Sequence, residues 1–326
     1  MTKKKNLIWV YPPNGWVSNF NKTFVYGWCN PKAKLFVSAG ADQSFYPNIK
    51  QGKHIGLPIQ VFPNGNFAQT INLPNKKNVI RLVQILNGKR NIISRNVIVK
   101  KIVGADQCVC PKIKSSSVGA LHAARFTSEP RLRRAAPLQN HNDMVIVIDP
   151  GHGGKEHGTH SPKGIPEKHF NLQISKMLYK KLKIRKNMRA YLTRLKDKNV
   201  SLKQRINFAK KKKCNLFISI HHNALPDNEN PLKHRGVGIY YTHDFVKPFA
   251  KKLLDSISKE VGAYRDTPLK KYGVFKRDFA VTRPDFYTGV LIECGFLIHP
   301  EEGEYITKRK VQEKIVKGII NAINSH

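Results

Sequence analysis

Apolar and polar positions change rhythm near the middle of the chain. Residues 5–101 carry short runs of β-branched and aromatic residues that alternate with polar ones, and no stretch keeps a helical period. Strands are expected at Leu7–Tyr11, Thr23–Trp28, Lys34–Ser38, Leu57–Phe62, Phe67–Leu73, Asn78–Leu86 and Asn91–Lys101. Asn64-Gly65 and Asn87-Gly88 supply the positive φ of tight turns, and the second joins two long alternating runs, a hairpin signal. From Met144 onward apolar runs alternate with amphipathic stretches. The runs Met144–Ile148, Arg189–Leu192, Leu216–Ile220, Gly238–Tyr241 and Val290–Ile292 predict buried strands, while Lys168–Arg185, Leu202–Lys213, Phe245–Val261 and Lys308–Ile323 predict helices. Ser201 with Gln204 forms a capping box ahead of the second helix.

This pattern divides the chain into a β-sandwich module over residues 1–103, a linker over 104–142 and an α/β domain over 143–326. About seven short strands at the N-terminal spacing fit an immunoglobulin-like sandwich, without the Cys…Trp…Cys pattern of antibody domains. Phe24-Val25-Tyr26-Gly27, Lys34-Leu35-Phe36-Val37 and Gly65-Asn66-Phe67 resemble the Ig-like modules of bacterial surface proteins. The linker holds Ser115-Ser116-Ser117, Gly119 and the arginines of 131–134 without a periodic apolar face. The second half predicts a mostly parallel sheet flanked by helices, a fold that collects chemistry at the carboxyl ends of its strands.

Composition then narrows the partners. The 326 residues hold 58 Lys and Arg against 21 Asp and Glu, a formal charge of +37. Residues 1–105 alone hold 16 basic residues against one acid, Asp42. Such a balance predicts a polyanionic partner, whether nucleic acid, an anionic membrane surface or an anionic cell-wall polymer. No run approaches the ~20 apolar residues of a membrane span, and no secretory leader is visible at the N-terminus. Five cysteines are too few and too scattered for a disulfide scaffold, and Cys108 and Cys110 are too close for an ordinary bridge.

Three strand ends carry polar residues unusual for an interior edge. They are Asp149-Pro150-Gly151-His152-Gly153-Gly154, Ser219-Ile220-His221-His222-Asn223 and Leu291-Ile292-Glu293-Cys294-Gly295. Glu167 follows Pro166 at the start of a helix, where the dipole favours a carboxylate. Each has a bland reading alone: a turn, a core histidine, a dipole partner, a buried acid. Together they place two His and one Glu from separate segments near one sheet edge, the ligand types of a catalytic zinc.

Asp149–Gly154, Pro166-Glu167-Lys168 with Asn171-Leu172, Leu192-Thr193-Arg194, Ser201-Leu202 with Arg205, Ser219-Ile220-His221 with Asn223-Ala224, and Leu291–Phe296 occur in an order that resembles the zinc-dependent N-acetylmuramoyl-L-alanine amidases. The resemblance covers residues 144–324. It implies that His152, Glu167 and His221 bind one Zn²⁺ and that Glu293 is the catalytic carboxylate rather than a ligand. The implied reaction is hydrolysis of the amide between N-acetylmuramic acid and L-alanine in peptidoglycan, by zinc-activated water. Asn223, Arg277 and Arg283 are expected on the substrate side. Lys155-Glu156-His157 stands where the family often carries an Asp, so the support of His152 is expected to differ. His222 is ranked below His221 as a ligand because adjacent strand residues face opposite sides. Cys294 is expected to be a core residue rather than a nucleophile.

Two other classes compete. A nucleic-acid-binding protein would account for the charge, yet no zinc finger, recognition helix or RNA-binding aromatic signature accompanies it. A catalytically weak wall-binding protein would be expected to have lost Glu293 or a ligand, and neither is lost. The charge then predicts adsorption of the basic N-terminal module to anionic wall polymers, weakening with salt. The substrate places the protein in the cell envelope, either periplasm or outer wall.

Overall fold

A computed structural model describes residues 7–40, 56–100, 143–263 and 268–325. The expected linker, Cys108, Cys110 and Asp42 lie outside the described residues.

The N-terminal part is all β, in two sheets. One has the order β1 (Leu7–Tyr11), β3 (Lys22–Cys29), β6 (Asn66–Asn72). The other runs β2 (Trp16–Ser18), β8 (Lys89–Val99), β7 (Lys77–Leu86), β4 (Lys34–Gly40), β5 (Leu57–Ile59). Alternation along these strands turns Trp9, Val25, Leu35, Val37, Phe67, Ile80, Leu82 and Val97 into one buried core. The Asn87-Gly88 turn connects β7 and β8 in a hairpin registered from Leu86↔Lys89 to Lys77↔Ile98. Asn87 and Gly88 both take positive φ, as the turn requires.

The C-terminal part is a six-stranded sheet covered by helices on both faces. Its strands are β9 (Met144–Pro150), β10 (Met188–Leu192), β11 (Leu216–Asn223), β12 (Val237–Tyr241), β13 (Lys271–Lys276) and β14 (Thr288–Phe296), in the order β10-β9-β11-β14-β12-β13. Every adjacent pair is parallel except β12 with β14. The helices are α1 (Glu167–Leu182), α2 (Leu202–Lys211), α3 (Lys247–Val261), α4 (Pro300–Ile306) and α5 (Arg309–Asn324). One face of the sheet, with Ile146, Ile148, Leu216, Ile218 and Ile220, packs under α1, α3 and α5. The other face, with Val147, Phe217 and Leu291, packs with Ala209 of α2, Val281 and Tyr287. Burial on both faces is why these strands read as continuous apolar runs. Among the described residues, no helix is long and apolar enough to cross a membrane.

The β module sits against the α/β half. Asn64 and Asn66 donate to the Pro300 carbonyl at the start of α4, at 3.0 and 2.7 Å. Phe24, Tyr26 and Ala68 pack with Ile298, Leu225 and Leu232. Trp16 Nε1 donates to Asp227 Oδ2 at 2.9 Å, and the Tyr11 hydroxyl donates to Asp227 Oδ1. Residues of the segment 225–235, together with Ile298 and Pro300, thus meet the β module.

Candidate active site

Strand periodicity fixes which side chains can meet. Along β11 the residues Phe217, Ser219 and His221 share the face toward α2, and Leu291 and Glu293 of β14 share it with them. His221 pairs with Glu293 across this parallel ladder, and Ser219 pairs with Asp149 on β9. His222 turns to the opposite face, where its Nδ1 lies 2.8 Å from Asn171 Oδ1 of α1. Burial pushes the His222 pKa down to about 4, so it stays neutral in this position.

His152 follows β9 in a Gly-rich loop and Glu167 opens α1. The Glu167 carboxylate stands between the two imidazoles: Oε2 is 3.2 Å from His152 Nε2 and Oε1 is 3.2 Å from His221 Nδ1. Burial alone would raise the Glu167 pKa, but hydrogen bonds and charge from His152 and His221 outweigh it and hold the acid well below the usual carboxylate range. Thr159 N–H, His222 N–H and Asn171 Nδ2 also donate to this carboxylate, at 3.0, 3.0 and 2.9 Å. These donors leave Glu167 little freedom to rotate.

The donor set suits a metal ion. One atom each from His152, Glu167 and His221 lie within 4.8 Å of one another. Two glycines make the approach possible. A Cβ on Gly158 would fall 2.3 Å from Glu167 Oε2 and 2.7 Å from His152 Cδ2, and one on Gly151 would fall 2.2 Å from the His221 ring. Any side chain at either position would displace the donors.

Glu293 is placed differently. Its Oε2 is buried with no hydrogen-bond partner among the described residues. Burial, with the negative charge of Glu167 nearby, drives its pKa well above the ordinary value. A carboxyl beside a candidate metal centre, unpaired and inclined to hold a proton, suits a proton-transfer role. Cys294 points into the core at 0% exposure, and burial raises its thiol pKa first, followed by the charge of Glu293.

The loop that carries His152 is clamped from below. His152 has φ +58°, unusual for a residue with a side chain. Arg194 donates to the carbonyls of Pro150, Gly151 and Lys168, and Arg205 to those of Pro150 and His152, all at 2.9–3.0 Å. Asp149, 1% exposed, receives Arg205, Thr193 and Ser219. Asp149, Arg194, Arg205 and Asn171 lie within the matched motifs but carried no assigned role. Their signal was a charged or amide side chain in an otherwise apolar or capped segment.

Two cavities meet at the centre. One of about 620 Å³ is lined by Tyr11, Trp16, Phe24 and Tyr26 of the β module together with Asn223 and Asp227. The other, about 330 Å³, is lined by Val200, Leu202, Phe279, Val281 and Leu291. His152, His221 and Glu293 border both. Arg277 is exposed, Arg283 is held by exposed Asp278, and neither lines these cavities, so their geometry lends no support to a substrate contact.

Residues 146–325 match the family model described as N-acetylmuramoyl-L-alanine amidase. "Probable cell wall amidase LytH" of Staphylococcus epidermidis is 31% identical over 184 residues, covering 56% of this chain and 58% of that one. The chain therefore spans little more than half of that relative. Among solved structures, an N-acetylmuramoyl-L-alanine amidase from Clostridium difficile 630 aligns with TM-score 0.52 and 32% identity, covering 56% of this chain and 96% of that one. The catalytic domain of CwlV from Bacillus (Paenibacillus) polymyxa aligns with TM-score 0.51 and 30% identity, over 56% and 97%. Each of these three likenesses covers 56% of this chain, and the family model falls on the α/β half.

Proposed function

The chain belongs to the N-acetylmuramoyl-L-alanine amidase family, and from that premise we propose that it hydrolyses the amide between N-acetylmuramic acid and the L-alanine of the stem peptide in peptidoglycan. The observation that carries this reading is the placement of Glu293 in register with His221, beside a carboxylate already spanned by two imidazoles.

His152, Glu167 and His221 are the residues that would hold a zinc ion, which when bound polarises the scissile carbonyl and lowers the pKa of water toward ~7. Glu293 takes the proton from the attacking water and returns it to the leaving amine of L-alanine, so the residue ends the cycle as it began. The elevated pKa of Glu293 makes its carboxylate a stronger base toward water, and the charge of a bound cation would oppose that elevation and keep the group ionised and able to accept. Arg205 holds the His152 carbonyl and Arg194 that of the preceding Gly151, while Thr159 and Asn171 hold Glu167, so the donors need no rearrangement on binding.

The module of residues 1–103 we read as an Ig-like sandwich, supported by its two sheets around one core, joined to the catalytic domain 143–326 through the linker 104–142. Its exposed Lys32, Lys34, Lys76, Lys77 and Lys89 support adsorption to anionic wall polymers. The substrate and the cell wall amidase relative support a place in the cell envelope or outside it.

Mass spectrometry of purified peptidoglycan incubated with the protein tests the reading. Intact stem peptides should appear, disappear with a chelator, return with added zinc and be missing with Glu293→Ala. A digest unaltered by the active protein would overturn it.

A further inference from the structure

The two cavities that meet at Glu293 differ in chemistry. The 330 Å³ cavity is built entirely by the catalytic half. The 620 Å³ cavity owes one wall to the β module, and that wall is aromatic. Tyr11 lies 5.0 Å from Phe24 and 5.9 Å from Tyr26, both stacked, and its ring meets Trp16 edge-on at 5.5 Å. Phe24 and Tyr26 are 3% exposed and form the base. Tyr11 and Trp16 are partly exposed and form the face that a ligand could touch.

This wall is held in place rather than merely adjacent. Asp227 of the catalytic half receives both the Tyr11 hydroxyl and Trp16 Nε1, from residues 216 and 211 positions away. The Tyr26 hydroxyl contacts Thr159 and His160, and Thr159 N–H donates to Glu167. The aromatic wall is therefore fixed to the same loop that positions a candidate metal ligand.

We propose that this cavity is the sugar subsite: Trp16 and Tyr11 bind the N-acetylated hexose side of the substrate. The inference rests on the amide-hydrolase reading, which gives the substrate two arms diverging from the scissile bond. A pyranose ring presents a face of C–H groups with slight positive charge, which suits the negative face of an indole or phenol ring. Its hydroxyl and N-acetyl N–H groups are donors, and Asp227 supplies fixed acceptor oxygens at the edge of the rings. A stem peptide suits the cavity poorly, because it carries carboxylates. The described lining includes the acids Asp227, Glu167 and Glu293 but no Lys or Arg to receive one. The volume lies within the ~300–1,000 Å³ of small-molecule sites.

The experiment compares two substrates with one peptide: a disaccharide-bearing muropeptide and the same peptide carrying only a lactoyl group. The wild-type chain should have a kcat/KM for the muropeptide at least tenfold above that for the lactoyl peptide. Trp16→Ala should reduce that ratio about tenfold, and Trp16→Phe should restore most of it. Calorimetry with peptide-free glycan strands and the Glu293→Gln protein gives an independent measure. Adding Trp16→Ala should weaken binding at least tenfold, with the melting temperature reporting that the variant is folded. An unchanged substrate ratio in folded Trp16→Ala, or glycan binding indifferent to the substitution, would overturn the subsite. If the wild-type chain cleaves neither substrate, the hydrolase reading fails, and glycan binding alone decides whether Trp16 meets sugar.

Discussion

Glu293 and His221 occupy paired positions on adjacent parallel strands, the second a candidate ligand and the first an acid with a buried, unpartnered oxygen. The register puts both on the face toward α2 and makes their separation a property of the sheet rather than of a loop. A residue that only held metal would not need this acid, and an acid that only balanced charge would find a cation among its neighbours.

Glu293→Gln should therefore separate chemistry from binding. It keeps shape and removes the proton-accepting group, so stem-peptide release should fall by about 10²–10⁴-fold. The metal content of the purified variant, measured by plasma mass spectrometry, should match that of the wild type. A parallel loss of metal would reassign Glu293 to the ligand set.

Asn171 illustrates how support one step removed from the centre can be tested. Its Nδ2 donates to Glu167 and its Oδ1 meets His222, so it links the candidate ligand to the opposite face of the sheet. Asn171→Ala should weaken metal affinity by about 10–100-fold, read by competition with a chromogenic chelator. An affinity unchanged within twofold would show that Thr159 and the His222 N–H suffice.

The legible parts of the sequence were those with local signals. The strands β9, β11 and β14 are buried on both faces and read as apolar runs, and Ser201-Gln204 announces α2 through a capping box that the structure contains. Three elements escaped. β2 is three residues long, β13 is an edge strand with lysines at both ends and Gly273 within it, and α4 is a seven-residue helix starting on a proline. The four residues at strand and helix ends were legible because each is a polar side chain where apolar ones are expected. The aromatic wall was not, since Tyr11 looks like an ordinary strand residue and Trp16 lies in the three-residue β2 that no pattern marks. Only the tertiary approach of Asp227, more than 200 positions away, gives them a cavity to line.

Asp149 and Arg205 form a buried ion pair beneath the Gly-rich loop, with side chains 1% and 4% exposed. Removing one partner strands the other charge in the interior, at about 3–5 kcal/mol. Asp149→Asn and Arg205→Met should each lower the denaturant midpoint by that equivalent, and the double variant should lose clearly less than the sum. Additive losses would mean that the two act independently. Because Arg205 also donates to the His152 carbonyl, Arg205→Met should reduce metal binding as well.

Glu302 lies at 0% exposure in α4, accepting from Gly236 N–H and Phe296 N–H, and Arg235 is the nearby cation. Burial dominates these bonds and pushes its pKa up to about 7 from 4.5. The folded chain thus holds a proton that the unfolded chain has released, so this contribution to stability is full below pH ~4.5 and is lost as pH rises through ~7. Between pH 5 and pH 8 the loss amounts to about 2–3 kcal/mol. Glu302→Gln cannot titrate, so its unfolding free energy relative to wild type should improve by that amount over the same interval, whatever its offset at pH 5. Denaturant unfolding at the two pH values measures this, and a difference that does not move with pH would place the charged form of Glu302 at ease in its site.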